Sequence, residues 1–159
     1  LPMIRFVVVF VALLSATSPA LALSCARPNA VHLYQMARDA EEQYYIVRGR
    51  IDLTGPVSEP SPGNDTPART KARISGTALN NHSFGTSFDQ EITIEAHCLA
   101  SWCGSAEGLT GEVFAALQIK NDELTLRVGP CGGDIAQWDR IGEQQILECH
   151  RSGLCAATR

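Results

Sequence analysis

Tyr45-Ile46-Val47-Arg48-Gly49-Arg50-Ile51-Asp52-Leu53 is the stretch on which the fold turns. Tyr45, Val47, Gly49, Ile51 and Leu53 alternate with Ile46, Arg48, Arg50 and Asp52, and that alternation predicts a half-buried strand. Gly49 in its interior predicts a bulge or a sharp bend. Just upstream the period is helical. Between Pro28 and Glu42, Val31, Tyr34 (or Gln35), Arg38 and Glu42 mark successive turns of one face, with Leu33, Met36, Ala37 and Ala40 as apolar cover. Pro28 suits the first turn of such a helix.

Downstream, Thr54 to Thr70 is rich in proline and glycine (Gly55, Pro56, Pro60, Pro62, Gly63, Pro67) and reads as a flexible loop, 54–70. Strand patterns follow at Ala72–Leu79 and at Gln90–Cys98. In the second, Ile92, Ile94, Ala96 and Cys98 face one way, and Thr93, Glu95 and His97 the other. Glu112–Ile119 and Glu123–Val128, joined through Lys120-Asn121-Asp122, read as a hairpin. Ile135, Trp138, Gly142, Ile146 and Cys149 then recur at helical spacing, with Asp134 in the first turn, where a helix dipole favours an acid. Trp138 on that face reads as core; Trp102, in a connection beside a cysteine, reads as packed on a disulfide or as an exposed platform. Five strands flanked by a helix at each end make a mainly β chain, a five-stranded OB-like barrel.

The opening residues read differently. Arg5 is followed by an apolar run from Phe6 to Leu14 and then by Ser15, Ala16, Thr17, Ser18, Pro19 and Ala20, the pattern of a secretory signal peptide over residues 1–22. The apolar run falls short of the roughly 20 residues a membrane span needs. A cut after Ala22 leaves Leu23-Ser24-Cys25 at the new terminus, and a cut after Ser24 makes Cys25 the first residue. Lipidation of Cys25 is a third route, and the only one that ties the chain to a membrane; Ala22 stands where it calls for a bulky apolar residue. Residues 23–159 then form a single domain.

All six cysteines (Cys25, Cys98, Cys103, Cys131, Cys149, Cys155) lie beyond the leader. An even count in an exported chain predicts three disulfides, with the pairing open. His97 beside Cys98 and His150 beside Cys149 raise a zinc site, but no Cys-x-x-Cys or His-x-x-x-His spacing supports it. The expectation is no metal and no cofactor, with His32, His82, His97 and His150 as surface or half-buried residues. The net charge is −4, becomes more negative once Arg5 is removed, and no run of Lys or Arg occurs. Nucleic acid, which needs clustered cations, is excluded as a partner.

Catalytic patterns are missing too. There is no Gly-x-Ser-x-Gly turn, no Gly-rich phosphate loop and no His-Glu-x-x-His. Glu41-Glu42 and Asp122-Glu123 are sequence neighbours that point apart. A Cys–His mechanism would need a free thiol, so the chain reads as non-enzymatic. A hidden enzyme site would need converging polar groups such as His97 with Glu95 or Asp89.

The order of elements resembles the netrin-module superfamily, which includes the tissue inhibitors of metalloproteinases. The resemblance rests on Cys25 after a leader, a short helix, the strand around Tyr45–Ile51, Cys98 closing a central strand with Trp102-Cys103-Gly104 after it, Gly129-Pro130-Cys131-Gly132-Gly133 ending the hairpin, and a helix ending in Cys149. It implies an OB-type barrel and a binding role without catalysis. In the inhibitors the mature chain begins with a cysteine whose amine and carbonyl chelate the catalytic zinc of the protease. Carried over, Cys25 is that residue and a zinc metalloprotease the protein partner. The implied bridges are Cys25–Cys98 (with Cys103 as competitor), Cys103–Cys131 and Cys149–Cys155. The chain departs from the inhibitors' Cys-x-Cys opening, having Cys25-Ala26-Arg27. The alternative role is an envelope-associated structural or interaction domain that binds protein or glycan through the barrel face or the 54–70 loop. Asn81-His82-Ser83 is a glycosylation acceptor only in a eukaryotic host, and the expected location is secreted or periplasmic.

Overall fold

The computed structural model describes residues 25–26 and 28–155; the leader segment lies outside them. In chain order the elements are helix α1 (Ala30–Asp39), strands β1 (Tyr44–Leu53), β2 (Ala68–Leu79), β3 (Phe84–Ala96), β4 (Cys98–Leu99), β5 (Trp102–Cys103), β6 (Val113–Lys120), β7 (Glu123–Gly129), β8 (Gly132–Gly133) and β9 (Ile135–Gln137), and helix α2 (Arg140–Ser152). The long strands close in the order β1-β2-β3-β7-β6 and back to β1. Every pairing in this ring is antiparallel except β3 with β7. This is the expected OB-like barrel, with β9 added beside β6 and β8 beside β7.

Closure falls to β1, which pairs along both edges. Its first part, Tyr44–Gly49, lies on β6, and Val47–Leu53 lies on β2. Gly49 is the last residue held by β6, and across β2 it faces Gly76. The ladder runs unbroken through Gly49, so no bulge occurs there; the register irregularity is at Ala78/Leu79. What the two glycines supply is clearance. A Cβ on Gly76 would sit 2.0 Å from the Arg48 carbonyl oxygen, and one on Gly49 would sit 2.5 Å from that of Ser75. No side chain fits between strands this close.

Alternation sorts the side chains into two cores. Inside the barrel lie Val47, Ile51, Ile74, Ile92, Ile94, Leu117, Leu126 and Val128. On the outer surface of β1 and β6, Ile46, Phe114 and Ala116 meet Leu33, Tyr34 and Ala37 of α1 and Ile146 and Cys149 of α2. Strand β6 is therefore buried on both faces from Val113 to Leu117, as a continuous apolar run demands. The ends of β1 depart from the simple alternation: Tyr45 and Leu53 are exposed although Val47 and Ile51 point inward.

Several boundaries differ from the sequence reading. Helix α1 ends at Asp39 and starts behind Asn29, whose side-chain oxygen accepts from the Val31 and His32 amides. Strand β2 begins at Ala68, so the long loop is shorter than 54–70. It is tied down by the Ser58 amide donating to the Thr70 hydroxyl, by Ser105 donating to Glu59, and by Val57 against the core. The C-terminal helix does not begin near Ile135. Ile135–Gln137 forms β9 on β6, and α2 starts at Arg140 behind Asp139, whose carboxylate accepts from the Gly142 amide. Asp134 is consequently not a first-turn acid; it is buried and ion-paired with Arg127 at 2.8 Å. Trp138 precedes the helix and is half-buried, its ring beneath the Arg48 guanidinium at 4.4 Å and its indole N–H donating to Glu143. The β6–β7 turn is the expected tight hairpin, with Asn121 and Asp122 both at positive φ.

Gly76→Ala is expected to lower stability by about 1–3 kcal/mol through overpacking at the β1–β2 crossing. The readout is the urea midpoint. Gly55→Ala, whose new Cβ would meet only Lys71 Cβ at 3.6 Å, should stay within about 0.5 kcal/mol of the parent. Equal midpoints for the two variants would remove the clearance argument.

Candidate functional site

Cys25 is exposed and bonded to Cys131, with 5.1 Å between Cα atoms. Cys98 pairs with Cys103 and Cys149 with Cys155. The third bridge agrees with the resemblance; Cys25–Cys98 and Cys103–Cys131 are both overturned. The reason is local. Cys98 and Cys103 stand directly opposite each other in the small β4–β5 ladder, within reach before any longer-range partner. The N-terminal segment instead crosses the β7–β8 turn, where Pro28 fills the space a Cβ on Gly132 would take, at 2.6 Å. That crossing brings Cys25 to Cys131. Three bridges and no free cysteine among the described residues suit an oxidising, extracellular or periplasmic setting. Among those residues, no helix is long and apolar enough to cross a membrane.

The Cys25 bridge belongs to a rim at one end of the barrel. Strands β3 and β7 run parallel and both end there, and the start of β2 pairs with the end of β3. The β4–β5 hairpin leaves from the same end, anchored by the His97 amide on the Val128 carbonyl and the Gly104 amide on the His97 carbonyl. Gly104 packs so tightly on Gly129 that a Cβ would lie 2.7 Å from its carbonyl carbon. At the hairpin tip Leu99 faces Trp102 across the ladder, and both are exposed, at 58% and 55%. Of the two readings of Trp102, the structure bears out its exposure. The long loop joins the same rim through Glu59 and Ser105.

The polar groups that could have hidden an enzyme do not converge. Asp89 is held by Arg73 and Ser75, and Glu95 by Arg69, at separate positions along the outer face. His97 is half-buried, and its Nε2 has no hydrogen-bond partner. Among the described residues no group of three or more His, Cys, Asp or Glu is gathered as a metal site. His32 and His82 are exposed and His150 is half-buried.

Glu123, from one of the sequence-adjacent acid pairs, is the hub of a charged ladder. It accepts from Lys71 at 2.7 Å, from the Thr93 hydroxyl and from Arg69, while Arg69 also reaches Glu95 at 2.7 Å. These donors, Lys71 first, hold its carboxyl down at about 2, against an ordinary value of 4.5. The ladder clamps β2, β3 and β7 together from outside.

A second concavity lies at the opposite end, between α1, the start of β1, the β2–β3 turn and the end of α2. It holds Tyr34, Tyr44, Tyr45, Asn80, Asn81 and His150. The sequence reading passed over this cluster: Tyr34 appeared there as a helix position, Tyr45 as one member of an alternating strand, and Asn81 as part of a glycosylation triplet. Comparison with protein-family models, with curated proteins and with solved structures gives no match.

Because the folded Glu123 carboxyl titrates below its unfolded value, its contribution is intact above about pH 4.5 and is lost as pH falls toward about 2. Glu123→Gln should therefore flatten the acid limb of the stability–pH curve in that window, measured by urea unfolding at stepped pH. A variant that loses stability as steeply as the parent would show that the ladder does not govern acid unfolding.

Proposed function

We propose that the chain is a non-enzymatic binding domain, exported to a secreted or periplasmic location, that engages a protein partner through the rim around Cys25. The observation that carries this reading is Trp102 with Leu99, both exposed on a hairpin closed by Cys98–Cys103 and set beside the Cys25–Cys131 bridge. Tryptophan is strongly favoured at the energetic centres of protein interfaces. A platform held rigid by two bridges and by the Gly104–Gly129 contact gives up little conformational freedom on binding.

The sharper form of the proposal is inhibition of a zinc metalloprotease. A catalytic zinc holds three protein ligands and one open position. If processing leaves Cys25 first, its amine and carbonyl become available to that position, while the bridge to Cys131 fixes their direction and Leu99 and Trp102 supply adjacent apolar contact. The resemblance to the netrin-module superfamily supports this form; the overturned Cys25–Cys98 pairing changes the anchor without freeing the residue.

The test is the intact mass of the exported protein before and after reduction, followed by a metalloprotease inhibition assay. The inhibitor form expects a chain starting at Cys25, six cysteines protected from alkylation, and inhibition weakened by at least about tenfold in Trp102→Ala. Acetylation of the Cys25 amine should abolish inhibition. A start at Leu23, or a lipid increment on Cys25, would eliminate chelation. Unchanged inhibition in Trp102→Ala would eliminate the rim as the contact surface.

A further inference from the structure

The tyrosine-lined cleft at the far end of the barrel has features that the rim does not explain. Its volume is about 270 Å³, just under the usual range for drug-sized ligands, so it accommodates one ring and little more. Three tyrosines and the side chains of Ile46 and Leu79 supply apolar walls. Tyr45 is 45% exposed, yet its ring is braced against Phe88 with 5.5 Å between centroids. Such a surface is rigid before any ligand arrives. Tyr34 and His150 share a hydrogen bond of 2.8 Å between α1 and α2, which fixes the floor of the cleft.

The charge pattern narrows the ligand. Among the described residues no carboxylate lines the cleft, and Arg38 is its one arginine or lysine. That guanidinium is already spent: Nε and Nη2 hold the Asp39 carboxylate at 2.6 and 3.1 Å, and Nη1 points at Cys155 Sγ at 3.3 Å. Burial pushes the Tyr34 and Tyr44 hydroxyls up from their ordinary value, so both remain neutral phenols at physiological pH. Among the described residues an anion finds no free arginine or lysine, and a cation finds no carboxylate. A purely apolar ligand would leave polar groups of the lining without water or partner, which is costly. The Asn81 amide, the Tyr45 hydroxyl and the His150 Nε2 have no protein partner among the described residues. Together they offer donors and acceptors to a ligand whose groups are both.

We infer that this cleft binds one neutral pyranose ring of a glycan, with the ring's C–H face on Tyr45 and its hydroxyls on Asn81 and His150. An aromatic face with amide and imidazole groups around it meets the two chemical characters of a sugar ring, apolar on its faces and hydroxylated on its edge. The open side of the cleft lets a longer chain continue into solvent. This inference is independent of the rim, which lies at the other end of the barrel.

The experiment is a heteronuclear NMR titration of the disulfide-bonded protein with glucose, N-acetylglucosamine and galactose, and with maltotriose and cellotriose as oligomers of glucose, chitotriose of N-acetylglucosamine and a β-1,4-galactotriose of galactose; sialyllactose and a heparin oligosaccharide serve as charged probes. At least one neutral probe should move the amides of Ala37, Tyr45, Asn80 and Asn81 and leave those of Leu99 and Trp102 in place. Binding by a monosaccharide marks a terminal sugar as the ligand, and binding by the oligomer alone marks an internal one. Asn81→Ala and Tyr45→Ala should each weaken that binding by about tenfold or more, equivalent to about 1.4 kcal/mol. Asn81 is exposed and makes no contact that the fold needs, so its variant separates a ligand effect from unfolding. Shifts elsewhere, a response to the charged probes alone, undiminished binding by Asn81→Ala with Tyr45→Ala, or no response to any neutral probe at millimolar concentration would each overturn the inference.

Discussion

The close approach of Gly49 and Gly76 is the constraint on which the barrel depends. Strand β1 must pair with β6 and with β2 at once, and the handover occurs where the two glycines face each other. With a side chain at either position the strands would have to separate, and a sheet that cannot close leaves an unpaired edge. Closure sets the inside and the outside of every other strand. It also brings the parallel ends of β3 and β7 together, from which the rim is built.

The covalent and ionic fastenings act on different parts of this ring. Cys25–Cys131 spans 106 residues and encloses nearly the whole barrel, so in the chain-entropy view it restricts the unfolded chain by about 4–5 kcal/mol. Cys98–Cys103 and Cys149–Cys155, at separations of 5 and 6, close small loops worth about 2 kcal/mol each on the same view. Their role is local: one stiffens the hairpin that presents Leu99 and Trp102, and the other caps α2 beside Gly153, whose left-handed backbone ends the helix. The Glu123 ladder holds β2, β3 and β7 on the face the helices leave open. Glu95 is buried, but Arg69, Lys71 and Glu123 are partly exposed, so solvent screens the ion pairs and their individual worth is modest.

The two ends of the barrel are thereby given different characters. The rim exposes Leu99 and Trp102 on a disulfide-closed hairpin, which suits a protein surface. The cleft is concave and aromatic, with its Arg38 paired to Asp39, which suits a small neutral ring. Among the described residues, the charged groups of the outer face pair with one another: Arg69 with Glu95 and Glu123, Lys71 with Glu123, and Arg73 with Asp89.

The sequence by itself determined the elements whose physics is local. Alternation marked β1, β3 and the β6–β7 hairpin, the change to helical spacing marked α1, and the even cysteine count gave three bridges. Through the resemblance it placed Cys149–Cys155 correctly and missed Cys98–Cys103, although both close short loops. Tertiary structure decided what depended on distant partners. Ile135–Gln137 carries helical spacing, yet it became a strand because the edge of β6 offered hydrogen bonds there. Asp134 left the helix dipole for Arg127 for the same reason. Cys25 went to Cys131 since the path of the N-terminal segment, set by Pro28 on Gly132, is invisible in spacing. The tyrosine cleft draws on residues from 34 to 150, and only the closed barrel brings them together: periodicity reports which face a residue takes, not which face it will meet.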